Sequence, residues 1–159
     1  MADSRISDLT AATTPLAGTE EVVIVQGGDT KKVAVKYVAP AYYSFAASDE
    51  ATALTVANDL IKTRIPFGMT LTGVRASLSV AGGTSGTTEI DVKVGGTSIF
   101  TTDLLTIDFG DTTSVGATTA PNITTTAIAD NAEISVDVTA IAGDATEAGL
   151  KIYLIGTYS

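Results

Sequence analysis

Three stretches of this chain alternate apolar and polar side chains with a period of two, and that period constrains the fold more than any other feature. In TLTGVRASLSV, residues 70–80, Val74, Ala76, Leu78 and Val80 fall on one side and Arg75, Ser77 and Ser79 on the other. TEIDVKV repeats the pattern with Ile90, Val92 and Val94 against Glu89, Asp91 and Lys93, and EISVDV repeats it with Ile134, Val136 and Val138. Successive side chains of a strand point to opposite faces, so such runs predict half-buried strands with one face on a core. Further strands are expected at YYSFA, LIKTRIPF, TSIFT, LLTIDF and LKIYLIGTY, separated by turn residues such as Gly82-Gly83-Thr84-Ser85-Gly86, Gly95-Gly96 and Asp130-Asn131. Roughly eight strands at this spacing fit two packed antiparallel sheets, jelly-roll-like in arrangement.

Composition agrees with sheet. Thr is the commonest residue, Val and Ile are plentiful, and the 45% apolar fraction of 159 residues suffices for one core but hardly for two. One window resists: Ser48-Asp49-Glu50 followed by ATALTVANDLIK carries a helical stripe of Leu54, Ala57, Leu60 and Ile61 behind a capping residue. Thr52, Thr55 and Val56 disfavour that helix, leaving residues 48–62 open between helix and strand.

The N-terminal part reads differently. Residues 1–19 show no useful periodicity and carry only the isolated apolar anchors Ile6, Leu9 and Leu16, as expected of an extended arm that gains order against another subunit. Next, EEVVIVQ and TKKVAVKYV flank Gly27-Gly28-Asp29, which predicts a β-hairpin. Lys31, Lys32 and Lys36 there form a basic cluster, available to an acidic partner surface or to Glu20 and Glu21 across the hairpin. The expected organisation is an attachment segment over residues 1–40 and a β-sandwich over 41–159.

Charge and missing residue types exclude much chemistry. The net charge of −9 opposes nucleic acid and anionic lipid as partners. No apolar run reaches the roughly 20 residues that span a bilayer, and the opening Met1-Ala2-Asp3-Ser4-Arg5 leads into polar sequence without a secretory core. Neither Cys nor His is present, which removes disulfides, thiolate sites, Ser-His-Asp and Cys-His catalysis, and most zinc chemistry. No cofactor and no enzymatic activity are expected. Acidic residues gather at turns, Asp103, Asp108 and Asp111 in one and Asp144 with Glu147 in another; their spacing matches no calcium motif, so they are expected to be solvated. Glu133, Asp91 and Asp137 on outward strand positions are formal candidates for paired-carboxylate glycoside cleavage, but nothing in the spacing fixes their separation. Tyr42, Tyr43, Tyr153 and Tyr158 offer flat amphipathic faces, to sugar or, more commonly, to packing. QGGDTKK lacks the spacing of a phosphate loop and is read as the hairpin turn.

The opening ISDLTAATTPLAGTEEVVIVQGGDTKKVAVKYV resembles the N-terminal segment of many tailed-phage virion proteins. RIPFGMTLTGVRASLSV, GGTSIFTTDLLTID, IADNAEISVDVTAI and GLKIYLIGT are similar to a domain that recurs in phage fibre and head-decoration proteins. That resemblance implies an external virion component, commonly a homotrimer. Since the chain has no collagen repeat, heptads or β-helix period to build a shaft, it implies a capsid decoration or cement protein gripping the major capsid protein. A short tail or head fibre, or a receptor- or carbohydrate-binding attachment protein, is the alternative.

Overall fold

The computed structural model describes residues 21–34 and 40–159, and among them every regular element is a strand. The chain divides into two compact units at Ala39/Pro40. The first contains β1 (Glu21–Gln26) and β2 (Asp29–Ala34), an antiparallel pair in which Val22 faces Val33 and Gln26 faces Asp29. Gly27 and Gly28 make the two-residue turn with φ of 64° and 88°, a backbone that a side chain with a Cβ adopts only under strain. Asp29 therefore opens the second strand instead of belonging to the turn.

The second unit has nine strands: β3 (Pro40–Ala46), β4 (Ala57–Arg64), β5 (Met69–Ser77), β6 (Thr87–Val94), β7 (Thr97–Ser98), β8 (Leu105–Asp108), β9 (Ala127–Ile128), β10 (Glu133–Ala140) and β11 (Lys151–Tyr158). One sheet runs β3-β11-β5-β9, and the other runs β4-β10-β6 with both β7 and β8 on the far side of β6. All pairings are antiparallel. With the two-residue β7 set aside, the sheets hold the first, eighth, third and sixth strands and the second, seventh, fourth and fifth, which is the jelly-roll order. The chain changes sheet at almost every connection, so one layer is complete only when β10 enters between β4 and β6, and the other only when the last strand, β11, slots between β3 and β5.

The core lies between the layers, where the alternation predicted it. Leu71, Val74, Ala76, Ile152 and Leu154 from one sheet meet Ile90, Val92, Leu105, Ile107, Ile134, Val136 and Val138 from the other, all buried. Leu71 and Val74 share a face despite a three-residue spacing because β5 bulges there: Gly73 pairs with Ile155 and Leu71 with Gly156, leaving Thr72 as the extra residue.

One expectation fails locally, and one question left open by the sequence is decided. Val80 is 44% exposed rather than inward, because β5 stops at Ser77 and Val80 itself is held only by an isolated bridge to Ala148. Residues 48–62 form no helix. Asp49 Oδ1 accepts bonds from the backbone N–H groups of Ala51 (2.8 Å) and Thr52 (2.6 Å) as a helix cap would, but the turn goes no further, and residues 57–64 are drawn into the sheet alongside β10. Strand β9 was not expected at all. With two residues and one buried side chain, Ile128, it has too little pattern to be seen.

Candidate functional site

The hairpin places some of the predicted contact residues. Its valines are left in the open: Val23 and Val25 are 68% and 73% exposed, on the face they share with Thr30 and Lys32. Lys32 pairs with Glu21 at 2.9 Å across the strands, whereas Lys31, opposite Ile24, makes no ion pair among the described residues. Ile6, Leu9, Leu16 and Lys36 lie outside the described residues.

The outward carboxylates of the second unit prove to be occupied. Asp91 and Asp137 stand directly opposite each other on β6 and β10, on the face away from the core, yet they are only 8% and 3% exposed. Lys93 forms an ion pair with Asp137, the Asp59 backbone N–H donates to the other Asp137 oxygen at 2.8 Å, and Ser98 Oγ donates to Asp91 at 2.6 Å. The bond to Asp137 holds the Lys93 ammonium above its ordinary pKa. Lys62 pairs with Asp59 at 3.0 Å and Arg64 with Glu133 at 3.6 Å, so this outer face is a lattice of opposed charges. Internal donors thus engage both oxygens of Asp137 and one oxygen of Asp91.

The turn acids split. Asp103, Asp111 and Asp144 are exposed as expected. Asp108 is partly buried: its Oδ2 accepts from Thr118 N and Oγ1 at 2.8 and 2.7 Å, which lowers its pKa. Glu147 contradicts the expectation of solvation altogether, being 0% exposed. Its Oε1 accepts from Thr88 Oγ1 (2.8 Å) and Ala142 N (2.9 Å) at the open end of the core, while Oε2 is buried without a partner. Among the described residues no group of three or more acidic side chains is gathered as a metal would require.

The tyrosines separate into two pairs by strand parity. Tyr43 and Tyr158 turn inward and pack edge-on against Phe67, with Tyr43 also against Phe45. Tyr42 and Tyr153 turn outward from the β3-β11-β5 sheet and stack at 6.2 Å with 30° between their planes. They line a trough of about 300 Å³ with Arg75, Ser77, Val115 and Ile155. Ser77 Oγ lies 2.9 Å from the Tyr153 hydroxyl and fixes that ring. The trough has a wall because the segment around residues 112–115 runs along the edge of β5: Ser114 N donates to Ala76 O at 3.0 Å, and Ala76 N donates to Ser114 Oγ at 2.9 Å. Sequence alternation marked Arg75 and Ser77 as outward, and the tyrosines by type; Val115 carried no signal, because it sits in a long loop whose path only the folded β5 edge sets.

No protein-family model matches the chain, and neither a curated protein nor a solved structure matches it, so a function must be argued from these residues.

Proposed function

We propose that the protein is a structural component of a tailed-phage particle, a decoration protein that holds the major capsid protein of the outer shell through residues 1–40 and turns its jelly roll outward. The observation that carries this reading is the hairpin of β1 and β2. A two-stranded sheet is marginal in water by itself, and this one leaves Val23 and Val25 exposed, so it gains stability when another surface covers it or adds a strand to its edge. Lys31, which makes no ion pair among the described residues, adds a positive charge to an acidic chain, suited to an acidic shell surface. The resemblance of residues 6–38 to phage attachment segments supports the same assignment.

The activity is mechanical. Covering shell surface at junctions between capsid subunits favours the assembled shell over its disrupted state, and an interface of about 1,600 Å² makes such attachment specific. A homotrimer would carry three anchors, and linkage multiplies their effect without new contacts.

Co-sedimentation of the full chain with empty expanded shells tests the reading. Burying one valine contributes about 1.5 kcal/mol, so the double substitution Val23→Asp, Val25→Asp should weaken attachment by well over tenfold while leaving the jelly roll folded. Undiminished binding of that variant would remove the hairpin as anchor. Copy number in purified particles separates the alternatives: on the order of hundreds means decoration, and a few dozen or fewer means a fibre or attachment protein. Absence from particles ends the virion assignment.

A further inference from the structure

The two outer faces of the jelly roll differ in chemistry. The face of β4, β10 and β6 is the charge lattice of Asp59, Lys62, Asp91, Lys93, Glu133 and Asp137. The strands β3, β11 and β5 carry no acid on their outer face: among its residues are Tyr42 and Ser44, then Lys151, Tyr153, Ile155 and Thr157, then Arg75 and Ser77, and Lys151 is paired with Glu50 from the loop after β3 at 2.6 Å. In a chain of net charge −9 this aromatic surface keeps one positive charge without a paired acid among the described residues, that of Arg75. Among the described residues, only Arg75 and Lys31 of the cationic side chains make no ion pair.

We propose that the trough on this face binds a saccharide unit bearing a carboxylate. The stacked rings supply a flat apolar floor with hydroxyls at its edge, and Tyr42 is 52% exposed, so a pyranose can lay its C–H face there. Arg75 stands directly across from Tyr153 in the strand register, which brings its guanidinium to the rim of that floor. Its planar fork matches a carboxylate with two parallel hydrogen bonds, a geometry lysine does not provide. Ser77 and Thr113 add hydroxyls at the walled end. A volume of about 300 Å³ is at the small end for a ligand site, with apolar lining and a few placed polar groups. A second copy of the chain is a poorer occupant: a concave trough of about 300 Å³ takes a small group, whereas a stable interface needs roughly 800 Å² from each partner. This site is independent of the hairpin and stands whether or not the hairpin grips a shell.

The shared ligand chemistry, a ring carboxylate, occurs in uronic acids and in sialic-type acids, and the test separates them. The full chain is titrated by NMR with a hyaluronan tetrasaccharide, with sialyllactose and with neutral maltotetraose. We expect at least one acidic probe to shift resonances of Tyr42, Arg75 and Tyr153, with maltotetraose about tenfold weaker, as one charge-assisted contact implies. Arg75→Gln should cost the acidic probe about tenfold and erase its advantage over maltotetraose, and Tyr42→Ala should weaken all binding, while thermal melts show both variants folded. A response to only one acidic probe identifies the source. Silence at these residues with both acidic probes, equal binding of maltotetraose, or indifference to Arg75→Gln would overturn the proposal. So would a sedimentation mass that falls to the monomer on Tyr42→Ala, since the face would then be covered by another copy.

Discussion

Glu147 shows how much one side chain can be asked to do. It enters the open end of the sandwich from a loop, accepts bonds from Thr88 and the Ala142 backbone, and leaves one oxygen without a donor. The space it fills is set by Gly82, where an added Cβ would overlap the Glu147 carboxyl. Gly82→Ala must push the carboxyl out of both hydrogen bonds or shift the loop, and overpacking together with the lost bonds should cost about 2–3 kcal/mol. Chemical denaturation measures this; an unchanged midpoint would mean that the loop yields freely. Gly82 is required for the room it leaves, whereas Gly27 and Gly28 are required for their backbone angles, two reasons that look identical in sequence.

At the scale of elements, the hairpin and the jelly roll rest on different supports. Among the described residues every buried member of the core cluster comes from Ala41 onward, so the sandwich has its own apolar interior. The fragment Pro40–Ser159 should therefore fold and melt cooperatively at the temperature of the full chain, by calorimetry; a large drop would show that the preceding residues carry part of the core. The hairpin holds its register through its glycine turn and the Val22–Val33 pairing, and has the exposed, two-strand character of an element completed by something else. The bulge at Thr72 illustrates the reverse dependence: β5 keeps both Leu71 and Val74 inward only because β11 accepts the extra residue.

Across the whole molecule, charge pairs and hydrogen-bonded carboxylates set the pH range of stability. Asp49, Glu50, Asp59 and Asp108 each have a pKa lowered from the ordinary 3.8 or 4.5, first by hydrogen bonds from Thr52 and Ala51, from Lys151, from Lys62 and from Thr118 respectively. A lowered folded pKa adds stability that is complete above the unfolded value and is lost as pH falls through the folded one. Lys62 and Lys93 are raised above 10.5 by Asp59 and Asp137, and that contribution is complete below 10.5 and lost as pH rises past it. The denaturation midpoint should be level from roughly pH 5 to pH 10 and fall on both sides, with added salt flattening the limbs through the exposed pairs Lys62–Asp59 and Lys151–Glu50 more than through the largely buried Lys93–Asp137. A midpoint that rises on acidification below that range would refute the assignment of these pairs.

The sequence alone determined that the molecule is an antiparallel β-sandwich, since period-two alternation in TEIDVKV and EISVDV can bury one face only as strands, and QGGDT between two apolar runs can close only as a hairpin. It also marked Arg75 and Ser77 as outward and the tyrosines as amphipathic, so half of the trough was legible. Tertiary structure decided the rest. Which strands become neighbours depends on contacts between distant residues, such as β11 entering between β3 and β5, and no local pattern encodes that choice. That pairing set Tyr42 against Tyr153, the pairing of β6 with β10 sank Asp91 and Asp137 out of water, and loops laid over the sheets brought Val115 to the trough and buried Glu147. Polarity says which side of a strand a residue takes, whereas burial depends on what the neighbouring strand lays over it.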